Sequence, residues 1–155
     1  IELIKRLMPD AFIGVDVMVG CRGEKPELFE ECRDFLQSLD VTQLHVFPYS
    51  ERPGTMALKI PYIVDEAEKK RRSKQLLDMS EEKRIAFYQK YIGTTADVLF
   101  EKAAKGKAMH GFTDNYVRVE LSAAKAREEY DNQIIKVKLL DFNHDKSALK
   151  CEIIG

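Results

Sequence analysis

The sequence predicts an α/β segment followed by an all-β one, and three observations carry that prediction. A nearly unbroken apolar run at residues 11–19 reads as a strand of a parallel sheet. Behind it come a stretch with helical spacing and a second β-rich run at Gln43 to Pro48, which together make one β-α-β unit over residues 11–48. Beyond Gly93 the hydrophobic period changes from near four to two, which marks a domain boundary and a change of fold class.

Each element follows from local chemistry. Phe12, Ile13, Val15, Val17, Met18 and Val19 leave almost no polar side to the first strand, so it is expected to be covered on both faces. Gly20 to Glu24 reads as a turn, and Pro26 occupies the first-turn position that tolerates a missing N–H. The helix it opens repeats Leu28, Phe29, Cys32, Phe35, Leu36 and Leu39 at three and four residues, which predicts a buried face and makes Cys32 a packing thiol. Two parallel strands expose unpaired edges, so this unit calls for upstream strands or another copy of itself. A long helix is expected from about Val64 to Tyr91; its mixed charge suits a connector, and the run Lys69 to Arg72 is expected to be a solvated surface.

The tail alternates. Val98 and Phe100, Met109 to Thr113, Val117 to Leu121, Ile135 to Leu139 and Leu149 to Ile153 read as five short strands, which suggests a small barrel of the OB kind. Ser122 to Asp131 is polar and Ala-rich and reads as a loop or short helix.

Composition sets limits on function. The 155 residues hold 25 Lys and Arg against 26 Asp and Glu, and from Gly93 onward ten basic residues meet ten acidic ones. No global basic field therefore announces a nucleic-acid partner, and any such contact must come from a local patch. No apolar run approaches a membrane span and residues 1–8 lack a signal-peptide layout, so a cytoplasmic location is expected. The chain opens at Ile1 inside a helical pattern of Ile1, Ile4, Leu7 and Met8, as expected of a segment from a longer protein. Cys21, Cys32 and Cys151 share no metal-ligand spacing, and His45, His110 and His144 are equally dispersed, so no metal site is expected here.

Three blocks carry a family resemblance. Gly14 to Glu24 resembles a barrel strand and turn of radical-SAM enzymes. Leu44 to Thr55, with His45-Val46-Phe47-Pro48-Tyr49-Ser50-Glu51, is similar to the final barrel strand and loop of the methylthiotransferase branch. Val98 to Glu101, Gly111 to Val119 and Asn132 to Val137 look like a TRAM domain, the small RNA-gripping barrel of that family. The resemblance implies the last β/α units of a partial TIM barrel at residues 1–62, a linker helix at 63–92 and a five-stranded OB-like TRAM barrel at 93–155.

It also implies a function: transfer of a methylthio group to the adenine C2 of threonylcarbamoyladenosine beside the tRNA anticodon, with S-adenosylmethionine and two 4Fe-4S clusters. The cluster cysteines of the family lie in earlier segments, so this stretch alone is expected to be inactive and to need the missing N-terminal domains of the same chain. The cofactor-binding residues implied are Asp16, Gly20, Gly23, Glu24, Phe47, Tyr49, Ser50 and Arg52. Both turns are strand-end loops, where barrels place their chemistry. Read without the resemblance, Gly20 and Gly23 are ordinary turn glycines and Arg52 a solvated arginine. Two departures from the family pattern stand out: Cys21-Arg22 replaces the usual Phe-Pro, and Met56 follows Thr55 where Pro is common. The thiol of Cys21 is either a small apolar substitute or a group activated by Arg22.

For the tRNA anticodon stem-loop the implied contacts are Lys105, Lys107, His110, Phe112, Asn115, Tyr116, Arg118, Lys136 and Lys138. Aromatic faces stack on bases while cations hold phosphates. The alternative for these residues is structural, with Phe112 in the core, Tyr116 closing a barrel end and strand lysines protecting an edge. Two other functions remain open, a methylthiotransferase acting on an aspartate of a ribosomal protein and a non-catalytic RNA-binding module.

Overall fold

A computed structural model describes residues 1–154. It separates into two compact units, Ile1–Arg84 and the residues from Ile85 onward.

In the first unit a short helix α1 (Glu2–Leu7) precedes β1 (Gly14–Val19), α2 (Pro26–Ser38) and β2 (Gln43–Pro48). The strands pair in parallel, Val15 opposite Leu44 and Val17 opposite Val46, so the expected β-α-β unit forms. Its core joins Val17, Val19, Phe29, Leu36, Val41 and Leu44 to Leu76 and Met79 of the long helix α3 (Glu66–Gln89). Asp65 caps α3 by accepting the Glu68 N–H at 2.8 Å.

Three expectations about this unit are corrected. Within this chain the sheet is covered on one face only: Met18 and Phe47, which are register partners, are 58% and 52% exposed, beside the exposed pair Asp16 and His45. The apolar residues of α2 do not form one buried face. Phe29 and Leu36 are buried, while Leu28, Cys32 and Phe35 are exposed, because six apolar residues span more of a helix circumference than one sheet face covers. Nor is the run Lys69 to Arg72 a solvated surface. At 100° per residue, positions 69, 72, 76 and 79 share a face, and that face brings Lys69 and Arg72 into the interior alongside Leu76 and Met79. Only Lys70 and Arg71 of the basic run are exposed.

The second unit is the closed five-stranded barrel that the tail's period of two predicts. Its strands are β3 (Thr95–Phe100), β4 (Met109–Thr113), β5 (Arg118–Leu121), β6 (Ile134–Phe142) and β7 (Leu149–Ile153), in the order β3-β4-β5-β7-β6. Antiparallel pairing of β3 with β6 closes the ring, and β5 with β7 is the one parallel contact. Val98, Phe100, Val119, Leu121, Val137 and Leu139 point inward and are essentially unexposed. Between β5 and β6 a hydrogen-bonded turn at 123–125 precedes a short 3₁₀ helix, Glu128–Tyr130. Gly111 lets two strands approach: a methyl group there would overlap the Leu99 carbonyl oxygen.

Candidate functional site

The two strand-end turns of the α/β unit come together. Tyr49 N–H donates to the Val19 carbonyl at 2.8 Å, and Gly23 N–H donates to Tyr62 O at 2.9 Å. Arg22 donates through Nε to Glu51 Oε1 at 2.6 Å and through Nη1 to the carbonyls of Leu58 and Ile60. Hydrogen bonding to Arg22 lowers the Glu51 carboxyl. With Arg22 engaged this way, Cys21 is not activated; burial, with Glu24 nearby, raises its pKa.

The first turn is shaped by its glycines and by one carboxylate. Gly20 and Gly23 have φ of 79° and 86°, which only glycine adopts freely. Gly20 N–H donates to Glu24 Oε2 at 2.7 Å. The same carboxylate accepts from Arg72 Nη1 at 2.8 Å, and Arg72 Nη1 also reaches the Glu24 carbonyl at 2.7 Å. Arg72 Nε is held by Glu68 at 2.8 Å, and the guanidinium lies over the Phe29 ring, 5.0 Å from its centre. Its exposure is 0%. Burial works against its charge, and hydrogen bonds to Glu68 and Glu24 more than offset that, so its pKa is raised. Hydrogen bonds from Arg71 and Arg72 bring Glu68 down to about 2. Sequence reasoning missed Arg72, whose partner Glu24 is 48 residues away.

The residues implied for the cofactor thus divide by position. Gly20, Gly23 and Glu24 build the first turn, with Glu24 committed to Arg72 and the Gly20 N–H. Tyr49 and Ser50 line a cleft of about 540 Å³ with Glu51, Asp65, Glu66 and Lys69. Lys69 joins turn and cleft: its Nζ lies 5.9 Å from the Tyr49 ring centre, and a methyl group on Gly20 would overlap its Cγ. Asp16 and Phe47 lie on the open sheet face, and Arg52 is exposed. Carboxylates as acceptors, an ammonium and a hydroxyl as donors and an aromatic ring are a suitable lining for a polar ligand with a flat ring. No group of three or more His, Cys, Asp or Glu suited to a metal occurs among the described residues, so they do not fit a cluster.

In the barrel the residues implied for RNA fall into three places. Phe112 pairs in register with Leu99 and with Arg118, and its ring lies 5.6 Å from that of Tyr116. Tyr116 holds φ of 63° and is 63% exposed. Such a backbone costs about 1–3 kcal/mol and needs outside support. Thr113 supplies it, accepting the Val117 N–H at 2.9 Å and donating to Asn115 Oδ1 at 2.7 Å. Phe112 and Tyr116, with Leu99 and Ile134, line a groove of about 440 Å³ whose charged residues are Asp97, Glu101 and Asp114. His110 faces Glu120 at 3.3 Å. Lys136 and Lys138 share the outward face of β6, and Lys136 pairs with Asp97 at 3.3 Å. Lys105 and Lys107 line a separate cleft of about 560 Å³ with Lys102 and Arg127, which sequence reasoning did not select.

No family model matches the chain. Curated proteins do. It is 33% identical over 141 residues to the threonylcarbamoyladenosine tRNA methylthiotransferase MtaB of Bacillus subtilis (strain 168), covering 88% of this chain and 31% of the relative. Against the protein of the same name in Aquifex aeolicus (strain VF5) it is 32% identical, over 81% of this chain and 29% of the relative. The tRNA-2-methylthio-N(6)-dimethylallyladenosine synthase of Campylobacter jejuni (strain RM1221) is 32% identical over 97% of this chain and 34% of its own length. The chain thus spans about a third of the length of these curated relatives.

Proposed function

Because this chain belongs to the radical-SAM methylthiotransferase family, we propose that it is part of a tRNA methylthiotransferase that places a methylthio group on the adenine C2 of threonylcarbamoyladenosine beside the anticodon. One observation carries the reading: similarity to tRNA methylthiotransferases extends over 88% to 97% of the chain, so both the α/β unit and the barrel take part in it.

In this reading residues 1–62 contribute to the S-adenosylmethionine site of a partial TIM barrel, and residues 93–155 are a TRAM domain. Gly20 and Gly23, having no side chain, let the backbone of the turn approach the cofactor closely, Glu24 acts by fixing the turn, and Tyr49 and Ser50 bound the cleft beside it. Asp16 and Phe47 offer a carboxylate and a ring on the open sheet face, and Arg52 a planar fork for a carboxylate. S-adenosylmethionine and two 4Fe-4S clusters supply the radical and the methylthio group, with cluster ligands outside these residues. In the barrel, Phe112 and Tyr116 stack on bases of the anticodon loop, positioned by Asn115, while Lys105, Lys107, His110, Arg118, Lys136 and Lys138 oppose phosphates. Among the described residues no helix is long and apolar enough to cross a membrane; the location proposed, the cytoplasm, follows from the tRNA substrate.

The test is nucleoside mass analysis of tRNA from cells with and without the gene that carries this chain. The expected result is loss of the methylthio derivative of threonylcarbamoyladenosine in the deletion. Loss of the dimethylallyladenosine derivative instead moves the substrate to that of the Campylobacter relative. Unchanged tRNA with loss of a modified ribosomal-protein aspartate overturns the tRNA reading.

A further inference from the structure

The groove and the cleft of the barrel differ in charge, and that difference assigns them different parts of a polynucleotide. The aromatic groove holds three carboxylates, Asp97, Glu101 and Asp114, and no cation among its lining residues. Lys136 offsets Asp97 at 3.3 Å, but Glu101 and Asp114 remain, so a phosphate there would meet like charge. The 560 Å³ cleft is the reverse, with Lys102, Lys105, Lys107 and Arg127 against Glu128 and Asp131.

We propose that this cleft is the phosphate seat for a single-stranded polynucleotide whose bases lie in the aromatic groove, with Lys102 and Arg127 as phosphate-binding residues. The inference rests on the RNA-binding reading above and deepens it. Four features support it. The ammonium groups of Lys102, Lys105 and Lys107 make no hydrogen bond or ion pair among the described residues, whereas Lys136 and Lys125 of the same barrel each face a carboxylate. Gly106, at φ of 75°, turns the loop between Lys105 and Lys107. Arg127 is braced by the Ala124 and Ala126 carbonyls at 3.4 and 3.2 Å through one nitrogen, Nη1. Finally, Glu101 lines the groove and its neighbour Lys102 lines the cleft, so one chain can enter both.

The floor of the cleft favours a phosphate over an acidic protein. Apart from its charged residues the lining is alanines, Gly106 and Met109, and it offers no large aromatic anchor of the kind that dominates protein–protein contacts. Small side chains let a phosphodiester sink to the depth of the lysines. Counterion release then makes binding salt-dependent, with a slope near 0.7 per phosphate contact on a single strand.

The experiment is fluorescence anisotropy of a labelled single-stranded RNA and of an anticodon stem-loop with the chain, across a salt series. The variants are K102Q/K105Q/K107Q, R127Q, F112A and Y116A, each checked for an unchanged amide NMR spectrum outside the substituted loop. The triple variant is expected to weaken binding at least about tenfold and to flatten the salt slope by about 2, the sum for three contacts. R127Q flattens it by about 0.7, and F112A and Y116A weaken binding with the slope intact. Wild-type binding with an unchanged slope in the triple variant overturns the phosphate seat and leaves the RNA reading standing. Failure of the wild-type chain to bind either RNA, or preference for polyglutamate, overturns both.

Discussion

In the α/β unit two parallel strands bury one face and leave Asp16, Met18, His45 and Phe47 open, whereas in the barrel five strands close on themselves and every inward position is filled. The difference shows in how each unit holds its candidate functional turn. Closure satisfies the barrel backbone without charge, and a single hydroxyl, Thr113, then fixes the turn that carries Tyr116. The open unit fixes its Gly20 to Glu24 turn with a buried arginine and two carboxylates. Buried ions are strong when paired and costly when left alone, so the two units respond differently to damage.

Substituting Arg72 by alanine breaks that contrast most severely. It takes the cation from Glu24 and leaves Glu68 with Arg71 alone, and is expected to destabilise the α/β unit by about 3 kcal/mol, near the lower limit for a buried pair because both carboxylates keep another partner and some solvent. R72K should recover only part, since an ammonium cannot serve Glu68 through Nε and Glu24 through Nη1 at once. Hydrogen exchange resolved by unit is the check, and barrel amides should be unchanged.

G111A attacks the barrel instead. A methyl group against the Leu99 carbonyl is expected to cost about 2 kcal/mol in strand displacement, read as a lower denaturation midpoint in the barrel. T113V is milder. It strips the Val117 N–H of its acceptor, costs about 1–2 kcal/mol, and releases the Tyr116 turn, visible as a changed ring environment for Phe112.

The smallest effect sharpens the comparison through pH. Glu68 sits at about 2 when folded against an ordinary 4.5. Its folded value is depressed, so its contribution is complete above 4.5 and is lost as the pH falls towards 2. Because the carboxylate is partly exposed, the loss is expected to stay under about 1 kcal/mol, confined to the α/β unit and absent in E68Q.

The sequence made the barrel legible because alternation assigns each strand residue to one of two faces, and Val98, Val119, Val137 and Leu139 had nowhere to go but inward. Helix faces were harder. Leu28, Cys32 and Phe35 fit the same spacing as Phe29 and Leu36, and only the sheet decides which stripe is covered. Arg72 was illegible for a different reason: a basic run reads as surface, and what buries it is Glu24, brought across 48 residues by the fold. The turn glycines and the Phe112–Tyr116 pair could be found by motif; the charge contrast between groove and cleft could not, since it depends on which loops face each other.

The central claim is that the barrel holds RNA through the groove and the cleft. Hydrogen exchange of the chain with and without an anticodon stem-loop tests it most directly. Protection is predicted at residues 99–118 and 122–131, covering the turn at Tyr116 and the lysine loop. Binding of the RNA with those segments unprotected, or with protection only in residues 1–84, would contradict it.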